Sequence, residues 1–279
     1  MERLEGRTTV VIGAGSGGIG TSIAEACARA SMRVVVADLD GAGAERVASE
    51  IRATGATAIS AQVDATDRVS LAALARCAVE AFGTVDLLSN NVGVVLSVPL
   101  AESTEEHWQW LLELNVMSIV RSVDVFLPVL RASGGDTHIA FTSSMAGLMR
   151  PNMPGYPLGV YAASKHALVG YGDALRDELA PEGIGVTVLC PGPIVTQLTA
   201  TSARHRPDRH GGSFATDDEM PDGQSTEAVG EVLLRAVRAN RFLALTHPEF
   251  GRFVERRYRR FADDFAFATQ TAPGGSDGS

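Results

Sequence analysis

Tyr161 and Lys165 are the two side chains whose types and spacing first suggest chemistry. They lie four residues apart in the stretch VYAASKHALVG, so in a helix the phenol and the ammonium would share one face. The chain has 24 lysines and arginines together, and Lys165 is the only lysine. Lysine offers a compact charge with three rotatable donors, whereas arginine is a planar fork that stays protonated. An ammonium near a phenol lowers the tyrosine pKa, which would make the pair a general acid/base.

A purely structural explanation of this pair is also open. Lys165 could be a surface charge left by drift, and Tyr161 could be an ordinary core residue. The choice between the two interpretations depends on whether the rest of the chain builds a binding site around this helix.

A glycine-rich turn follows the first apolar run, in the stretch IGAGSGGIGTSIAEA. Gly13, Gly15 and Gly18 match the pattern G-x-G-x-x-G between a strand and a helix. In that context the pattern binds dinucleotides, because glycines let the backbone approach a pyrophosphate and the helix N-terminus supplies free N–H groups. The motif alone is weak, since glycine-rich turns of this kind also occur without a ligand.

The second apolar run, RVVVAD, ends in Asp38 and is followed by Leu39. An acidic residue about 20 positions after the glycines accepts hydrogen bonds from the ribose of NAD and repels the 2′-phosphate of NADP. No basic residue stands at the glycine turn in the sequence to favour that phosphate. The two features together predict dinucleotide binding with NAD preferred over NADP, and a surface aspartate at a strand end is the alternative.

Seven apolar, β-rich runs alternate with longer helix-like segments along the chain. The runs are TTVVIG, RVVVADL, TAISAQV, VDLLSN, THIAFTS, VTVLCPG and FLALTHP. Continuous apolar runs are typical of strands buried on both faces of a parallel sheet. The alternation therefore predicts a single α/β domain, a doubly wound parallel sheet of the Rossmann type with helices on both faces.

The predicted domain spans residues 1–265. Residues 197–225 are polar, contain glycine and proline and are weakly periodic, which predicts a lid over the substrate. The end of the chain, 266–279, is expected to be a disordered tail.

Composition and charge limit the classes of partner. The 279 residues are 45% hydrophobic, and the net charge of −9 argues against nucleic-acid and membrane-surface binding. No apolar run is long enough to span a bilayer, and the charged N-terminal stretch MERLEGRTTVVIG is not a signal peptide. Three distant cysteines form neither a metal-ligand pattern nor a disulfide pattern, so we expect no metal and a cytoplasmic location.

Seven motifs in order resemble the short-chain dehydrogenase/reductase family in its single-domain, NAD-dependent form. The motifs are GAGSGGIG, VDATD, NNVG, LNVMS, TSSMAG, YAASK and PGPIVT. The resemblance covers roughly residues 5–245, nearly the whole predicted fold. It implies that the cofactor is contacted by Gly13, Gly15, Ser16, Gly17, Gly18, Ile19, Gly20, Asp38, Leu39, Asp64, Ala65, Asn91, Val92, Gly93, Tyr161, Lys165, Pro191, Gly192, Ile194 and Thr196.

The resemblance also implies hydride transfer between a nicotinamide and a carbonyl or alcohol carbon, with the protein positioning and protonating the reactants. Tyr161 would be the general acid/base on the substrate oxygen. Lys165 would lower the pKa of Tyr161 and hydrogen-bond the nicotinamide ribose. Ser144 would donate a hydrogen bond to the substrate oxygen, and Asn115 would hold a water for proton relay.

The chain departs from the family pattern at three places. The glycine motif is one residue longer than usual, which leaves open by one position which N–H groups meet the pyrophosphate. Val92 replaces an alanine. The interval from Ser144 to Tyr161 is longer than usual, which leaves Ser143 as an alternative to Ser144. In the family, helices corresponding to 103–131 and 161–180 pair across subunits, which implies a homodimer or homotetramer.

The favoured function is NAD-dependent interconversion of a secondary alcohol and a ketone. Met145, Met149 and Met153 follow the serine motif and could line a broad apolar pocket or be plain core. A pocket of that kind suggests a medium-sized or bulky substrate, such as an aryl, terpenoid or steroid alcohol. A 3-oxoacyl thioester reductase is the alternative enzyme, weakened by Asp38 because such enzymes usually prefer NADPH. A dinucleotide-sensing module without catalysis is the alternative of another class, and it would predict a broken catalytic set.

Overall fold

The parallel sheet predicted from the apolar runs is present. A computed structural model describes residues 1–150, 157–206 and 224–271. Within these ranges seven strands form one sheet in the order β3-β2-β1-β4-β5-β6-β7, and every neighbouring pair is parallel. The strands are β1 (Thr8–Ile12), β2 (Arg33–Asp38), β3 (Ala58–Gln62), β4 (Leu87–Asn90), β5 (Thr137–Thr142), β6 (Ile184–Cys190) and β7 (Leu243–Leu245). Six of the seven runs contain a whole strand, and the run VTVLCPG contains all of β6 except its first two residues, which confirms the doubly wound α/β fold.

Helices cover both faces of the sheet. They are α1 (Ile19–Arg29), α2 (Gly41–Ala53), α3 (Arg68–Phe82), α4 (Glu105–Leu112), α5 (Ser118–Ala132), α6 (Gly159–Leu179), α7 (Leu198–His205), α8 (Val229–Arg238) and α9 (Gly251–Thr271). Apolar residues of α1, α2 and α8 form one buried cluster on one face, and those of α3, α5 and α6 form a second cluster on the other. Both faces of the strands are therefore buried, as the continuous apolar runs require.

Short polar signals set where several helices begin and end. The Asp40 carboxylate accepts a hydrogen bond from the Gly43 N–H and begins α2, and Asp67 caps α3 in the same way. Gly83, with φ of +81°, ends α3. Such caps begin the helices close to the carboxyl ends of the preceding strands, so the connecting loops there stay short.

The order in which strands are added to the sheet reverses between β1 and β4, and a crevice opens at the carboxyl ends of these two strands. From β1 the chain first builds outwards to β2 and β3, then crosses to β4 and builds the other way. Ligands of doubly wound sheets bind in the crevice that this reversal opens. The glycine turn follows β1 directly, so it lies at this crevice.

The segment 103–131, predicted to be one long helix, is helical without a break from 105 to 132 but is not regular throughout. It consists of α4, a single π-helical turn at Glu113–Met117, and α5. A π-helical turn inserts an extra residue into a helix, and such turns occur frequently at functional sites. Asn115 lies in this turn.

Two boundary predictions need correction. Within the predicted lid, residues 198–205 were expected to be irregular but form α7. Gln224, near the end of this segment, makes an isolated bridge with Ile194. Residues 207–223 lie outside the described part of the chain. Helix α9 continues to Thr271, so the predicted disorder is wrong for 266–271, while 272–279 also lie outside the described part. None of the described helices combines the length and apolar character needed to cross a membrane.

Candidate active site

One cavity of about 980 Å³ lies along the carboxyl edge of the sheet. Its walls include residues that directly follow β1, β2, β4, β5 and β6, such as Gly13, Leu39, Asn91, Ser143 and Pro191. Of the cofactor and catalytic residues predicted from the sequence, all line this cavity except Gly15, Gly17 and Asn115. The structure thus brings together residues as distant in the chain as Gly13 and Pro191.

The glycine turn is shaped by close backbone contacts. Gly13 has φ of +82°, and a Cβ there would lie 3.0 Å from the Val92 nitrogen. A Cβ at Gly20 would lie 2.1 Å from the Gly13 carbonyl oxygen, so only glycine lets α1 pack this closely on the turn. Gly18 precedes the first residue of α1 and offers no side-chain cap. The first N–H groups of α1 are therefore left by side chains for a ligand such as a pyrophosphate.

The Asp38 carboxylate is held at the far wall of the cavity by two backbone N–H groups. Gly15 donates to Oδ2 at 2.7 Å, and Asp40 donates to Oδ1 at 3.0 Å. Each oxygen keeps a free lone pair, so the carboxylate can still accept hydrogen bonds from two ribose hydroxyls. Gly15 therefore fixes Asp38 and does not line the cavity itself.

Tyr161, Lys165 and Ser144 converge on the middle of the same cavity. The Lys165 ammonium donates to the Thr142 carbonyl oxygen at 3.0 Å and lies 5.6 Å from the centroid of the Tyr161 ring. The Ser144 hydroxyl hydrogen-bonds the Tyr161 phenol. The Ser143 hydroxyl is instead used by the helix backbone, because it donates to the Lys165 carbonyl oxygen at 2.8 Å. This arrangement favours Ser144 over Ser143 as the residue that faces a substrate oxygen.

Burial dominates the proton affinities of this pair. Loss of water raises the pKa of Tyr161 from 10.0 to about 12, and the hydrogen bond with Ser144 offsets only part of that rise. Burial also lowers the pKa of Lys165 from 10.5 to about 8. The sequence predicted a lowered tyrosine pKa, and that prediction is wrong, because it counted the ammonium and not the lost hydration of the phenolate. At neutral pH Tyr161 is a neutral phenol that can donate a proton.

Asn115 lies behind Lys165 and does not reach the cavity. Its Oδ1 accepts from the Val94 N–H at 2.7 Å, and its Nδ2 donates to the Val94 carbonyl oxygen and to Ser164. A Cβ at Gly93 would lie 3.2 Å from both Asn115 Oδ1 and Lys165 Nζ. Asn115 therefore fixes the loop after β4 against α6, and its role in a water relay stays a prediction.

The remaining part of the cavity is mostly apolar. Its wall contains Trp110, Leu114, Met145, Met149 and Leu158. Met153, which was expected beside the other methionines, lies outside the described residues. Flexible methionines and a large aromatic ring suit a bulky apolar ligand.

A family model described as short chain dehydrogenase matches residues 7–207. The chain belongs to the short-chain dehydrogenase family. Together with the names of its relatives, membership makes this chain an oxidoreductase that acts on CH–OH groups.

Three relatives illustrate the similarity of this short-chain dehydrogenase to known proteins. A solved short-chain dehydrogenase/reductase from Burkholderia phymatum, in complex with NAD, has a TM-score of 0.85 and 32% identity, with 100% of both chains covered. The 1-deoxy-11-beta-hydroxypentalenate dehydrogenase of Streptomyces exfoliatus is 36% identical over 233 residues, 81% of each chain. The C alpha-dehydrogenase of Sphingobium sp. is 28% identical over 262 residues, 90% of this chain and 84% of the relative.

Sequence reasoning missed several residues at the site of this short-chain dehydrogenase. Phe250, in the turn just before α9, and Arg252 and Phe253, in the first turn of α9, line the cavity beyond the segment that carries the family motifs. Arg46 of α2 donates to the Gly15 carbonyl oxygen at 2.8 Å, although the sequence suggested no basic residue at the glycine turn. Arg46 does not line the cavity. Only the three-dimensional packing reveals these contacts, since no motif contains them.

Gly20→Ala is expected to destabilise the protein by about 3 kcal/mol or more, although alanine favours helices, because its Cβ would overlap the Gly13 carbonyl. Gly18→Ala is the matched control, since its Cβ would meet nothing nearer than Ser16 Oγ at 3.7 Å. Urea unfolding without cofactor would measure both. Equal free energies of unfolding for the two variants would contradict the close packing of α1 on the turn.

Lys165→Met is expected to stabilise the protein near neutral pH. The lowered pKa of Lys165 means that the unfolded chain binds more protons than the folded one between about pH 8 and about pH 10.5, so stability rises with pH across that window. The cost of burying the charge, about 3 kcal/mol at pH 7, is present in full below the folded pKa of about 8. It disappears as the pH rises towards the unfolded pKa.

Urea unfolding of the wild type and Lys165→Met at about pH 7 and about pH 10 would test this, with the advantage of the variant shrinking at the higher pH. Arg256→Met, at an exposed cation, is the control and should give a difference that changes little with pH. An advantage for Lys165→Met that is equal at both pH values would contradict the lowered pKa.

Proposed function

We propose that this chain is an NAD-dependent oxidoreductase that interconverts a secondary alcohol and a ketone. The observation that carries the proposal is the shared cavity: Tyr161, Lys165 and Ser144 border the same space as Asp38 and the glycine turn. Catalytic and dinucleotide-binding residues in one continuous cavity support an enzyme over a sensing module, which would not need the acid/base set.

The glycine turn and Asp38 fit a dinucleotide. Gly13 and Gly20 let the turn and α1 pack closely, and Ile19 and Gly20 at the start of α1 line the crevice with no side chain capping the helix. Asp38 would hold the adenosine ribose, Lys165 the nicotinamide ribose. When bound, the nicotinamide would supply the hydride acceptor or donor.

Tyr161 is the proton donor and acceptor in the proposed reaction. In ketone reduction its phenol would donate a proton to the substrate oxygen, and in alcohol oxidation the same oxygen would take that proton back. Ser144 would orient the substrate oxygen by a second hydrogen bond. Lys165 would stabilise the phenolate that remains after donation, because its ammonium adjoins the Tyr161 ring.

NAD is the proposed cofactor, in preference to NADP. Members of the family use NAD or NADP, and the Burkholderia phymatum relative holds NAD. The Asp38 carboxylate, fixed by Gly15 and Asp40, would repel a 2′-phosphate. A like charge at such short range costs several kcal/mol. Leu39 follows Asp38 in the lining, whereas Arg46, which donates to the Gly15 carbonyl oxygen, is not among the lining residues.

The proposed substrate is a medium-sized or bulky apolar alcohol or ketone. The apolar walls around Trp110 and the two methionines support this size class, and the Streptomyces exfoliatus relative is named for a hydroxypentalenate. Aryl, terpenoid and steroid alcohols all remain within the proposal. A homodimer or homotetramer in the cytoplasm is proposed with it, consistent with three free cysteines in the described residues.

NADH formation from a panel of aliphatic, aryl, terpenoid and steroid secondary alcohols would test the function. With a responding alcohol, kcat/KM with NAD is expected to exceed that with NADP by about 100-fold or more. Asp38→Ser with Leu39→Arg should reduce this ratio by at least about tenfold, while Asp40→Ser, at the neighbouring acid, should leave it nearly unchanged. Dinucleotide binding without turnover of any panel member would support the alternative of a sensing module. Turnover of 3-oxoacyl thioesters with a preference for NADPH would support the alternative of a 3-oxoacyl thioester reductase.

A further inference from the structure

Helix α9 extends beyond the body of the protein and presents an exposed aromatic face. Its first turns pack on the body, where Val254 is half-buried and Arg257 contacts His166. From Tyr258 to Thr269 every residue is exposed. Four of the exposed side chains on this part are aromatic: Tyr258, Phe261 and Phe265 are 57%, 44% and 76% accessible, and Phe267 is 67% accessible. Water contact over so many rings is unfavourable, and such patches mark contacts with a partner.

The spacing of these rings is that of a helix-pairing seam. Val254, Tyr258, Phe261 and Phe265 follow one another at intervals of four, three and four residues. This is the repeat by which two helices pack along a common stripe. The stripe continues the face by which the start of α9 contacts its own body, so the occupant would extend an existing packed surface.

Charges beside the seam specify what the occupant would be. Arg257 and Asp264 are seven residues apart and border the stripe on the same side. If two copies of α9 pair antiparallel with Tyr258 across from Phe261 of the second copy, Arg257 lies beside Asp264 of the second copy. Two-fold symmetry then forms this pair twice. In a parallel pair the same positions would face Ala262 and Thr269, and no charge pair would form.

We propose that α9 is a dimerisation element that pairs antiparallel with α9 of a second copy of this chain. A membrane surface is the other occupant that an aromatic, arginine-bearing helix can suggest. It is disfavoured because the whole chain carries a net charge of −9, and because Asp263 and Asp264 lie in the exposed half. The pairing does not depend on the proposed activity.

Two pairs of variants at exposed positions test the pairing. Phe261→Ser with Phe265→Ser removes the seam, and Phe267→Ser removes a ring that is 67% exposed on the opposite side of α9. Asp264→Arg reverses the charge beside the seam, and Asp263→Arg reverses its neighbour, which points away from the seam. All are surface changes that should leave the fold intact, which circular dichroism and NADH binding would verify.

Light scattering coupled to size exclusion would give the mass of each protein. The wild type, Phe267→Ser and Asp263→Arg are expected to share one mass. The double serine variant is expected to have half that mass, whether the wild type is a dimer or a tetramer, and Asp264→Arg is expected to dissociate at a concentration at least about tenfold higher than the wild type.

Three outcomes would overturn the pairing. A monomeric wild type would exclude it, and binding of that monomer to anionic phosphatidylserine vesicles would favour the membrane surface instead. A double serine variant with the wild-type mass would mean that the stripe is not an interface. If Asp264→Arg dissociates at the same concentration as Asp263→Arg, the stripe does not pair with an antiparallel α9 of the second copy.

Discussion

Tyr161→Phe is expected to lower kcat by about 10²- to 10⁴-fold in both directions, the range typical of losing a general acid/base. The variant keeps the aromatic ring but has no proton to exchange with the substrate oxygen. Dinucleotide affinity should change little, because the glycine turn and Asp38 are untouched. Steady-state kinetics with the best panel substrate, alongside fluorescence titration with NADH, would measure both quantities.

Tyr171→Phe is the matched control for this change. Tyr171 lies on the same helix, α6, and packs against Phe141 with ring centroids 5.9 Å apart, away from the cavity lining. Burial raises the pKa of Tyr171 to about 12 as well, so the two tyrosines share helix and proton affinity but differ in access to substrate. Turnover of Tyr161→Phe at the wild-type rate would remove Tyr161 from the mechanism. Equal losses in both variants would indicate damage to α6 instead.

Lys165→Arg is expected to lower kcat/KM by about 10²-fold or more, although the charge is kept. The Lys165 ammonium is a compact donor that hydrogen-bonds the Thr142 carbonyl and lies close against the backbone of Gly93. A planar guanidinium needs more room than this gap provides, and its donors point in fixed directions. Displacement of the side chain would move positive charge away from the Tyr161 ring and from the ribose position.

Kinetics of Lys165→Arg should be compared with those of Arg131→Lys. Arg131 forms an exposed ion pair with Glu182, so that exchange tests whether swapping the two cations is harmful in general. We expect Arg131→Lys to match the wild type within about twofold, because exposed pairs contribute little. A fully active Lys165→Arg would show that the presence of one lysine at this position is a coincidence and that only charge is needed.

The sheet and its order of elements were predictable because burial on both faces imposes an unmistakable composition. The centre of β2, for example, reads VVVA and is buried at each of these positions, so it shows no alternation of polar and apolar residues. The glycine turn was predictable in type for a similar reason. The Gly13 carbonyl oxygen lies 2.1 Å from the position that a Cβ of residue 20 would occupy, so only glycine fits there. In both cases the local environment of a residue restricts which residue types can occupy that position, so the sequence alone indicates the environment.

Other features depend on contacts between distant parts of the chain and carry no local signal. The π-helical turn around Asn115 has ordinary helix-forming residues, and its extra residue serves to bring the amide onto the backbone of Val94. The raised pKa of Tyr161 results from burial by the whole site, which a four-residue spacing with Lys165 does not reveal. The cavity wall at Phe253 comes from α9, whose packing on the body no motif encodes.

The single lysine has a practical consequence for chemical modification of this protein. Lys165 is the only lysine and is 3% exposed, so the outer surface carries no side-chain amine. The terminal amine is ion-paired with Asp136. Acylating reagents and aldehyde supports, which label most proteins at many places, would have the reaction cavity as their one side-chain target. Because its pKa is about 8, Lys165 is partly in the nucleophilic, neutral form under mild conditions. A small activated ester that enters the cavity would therefore label one lysine per chain, so the amount of label would count the accessible active sites. Bound dinucleotide would protect Lys165 from this labelling.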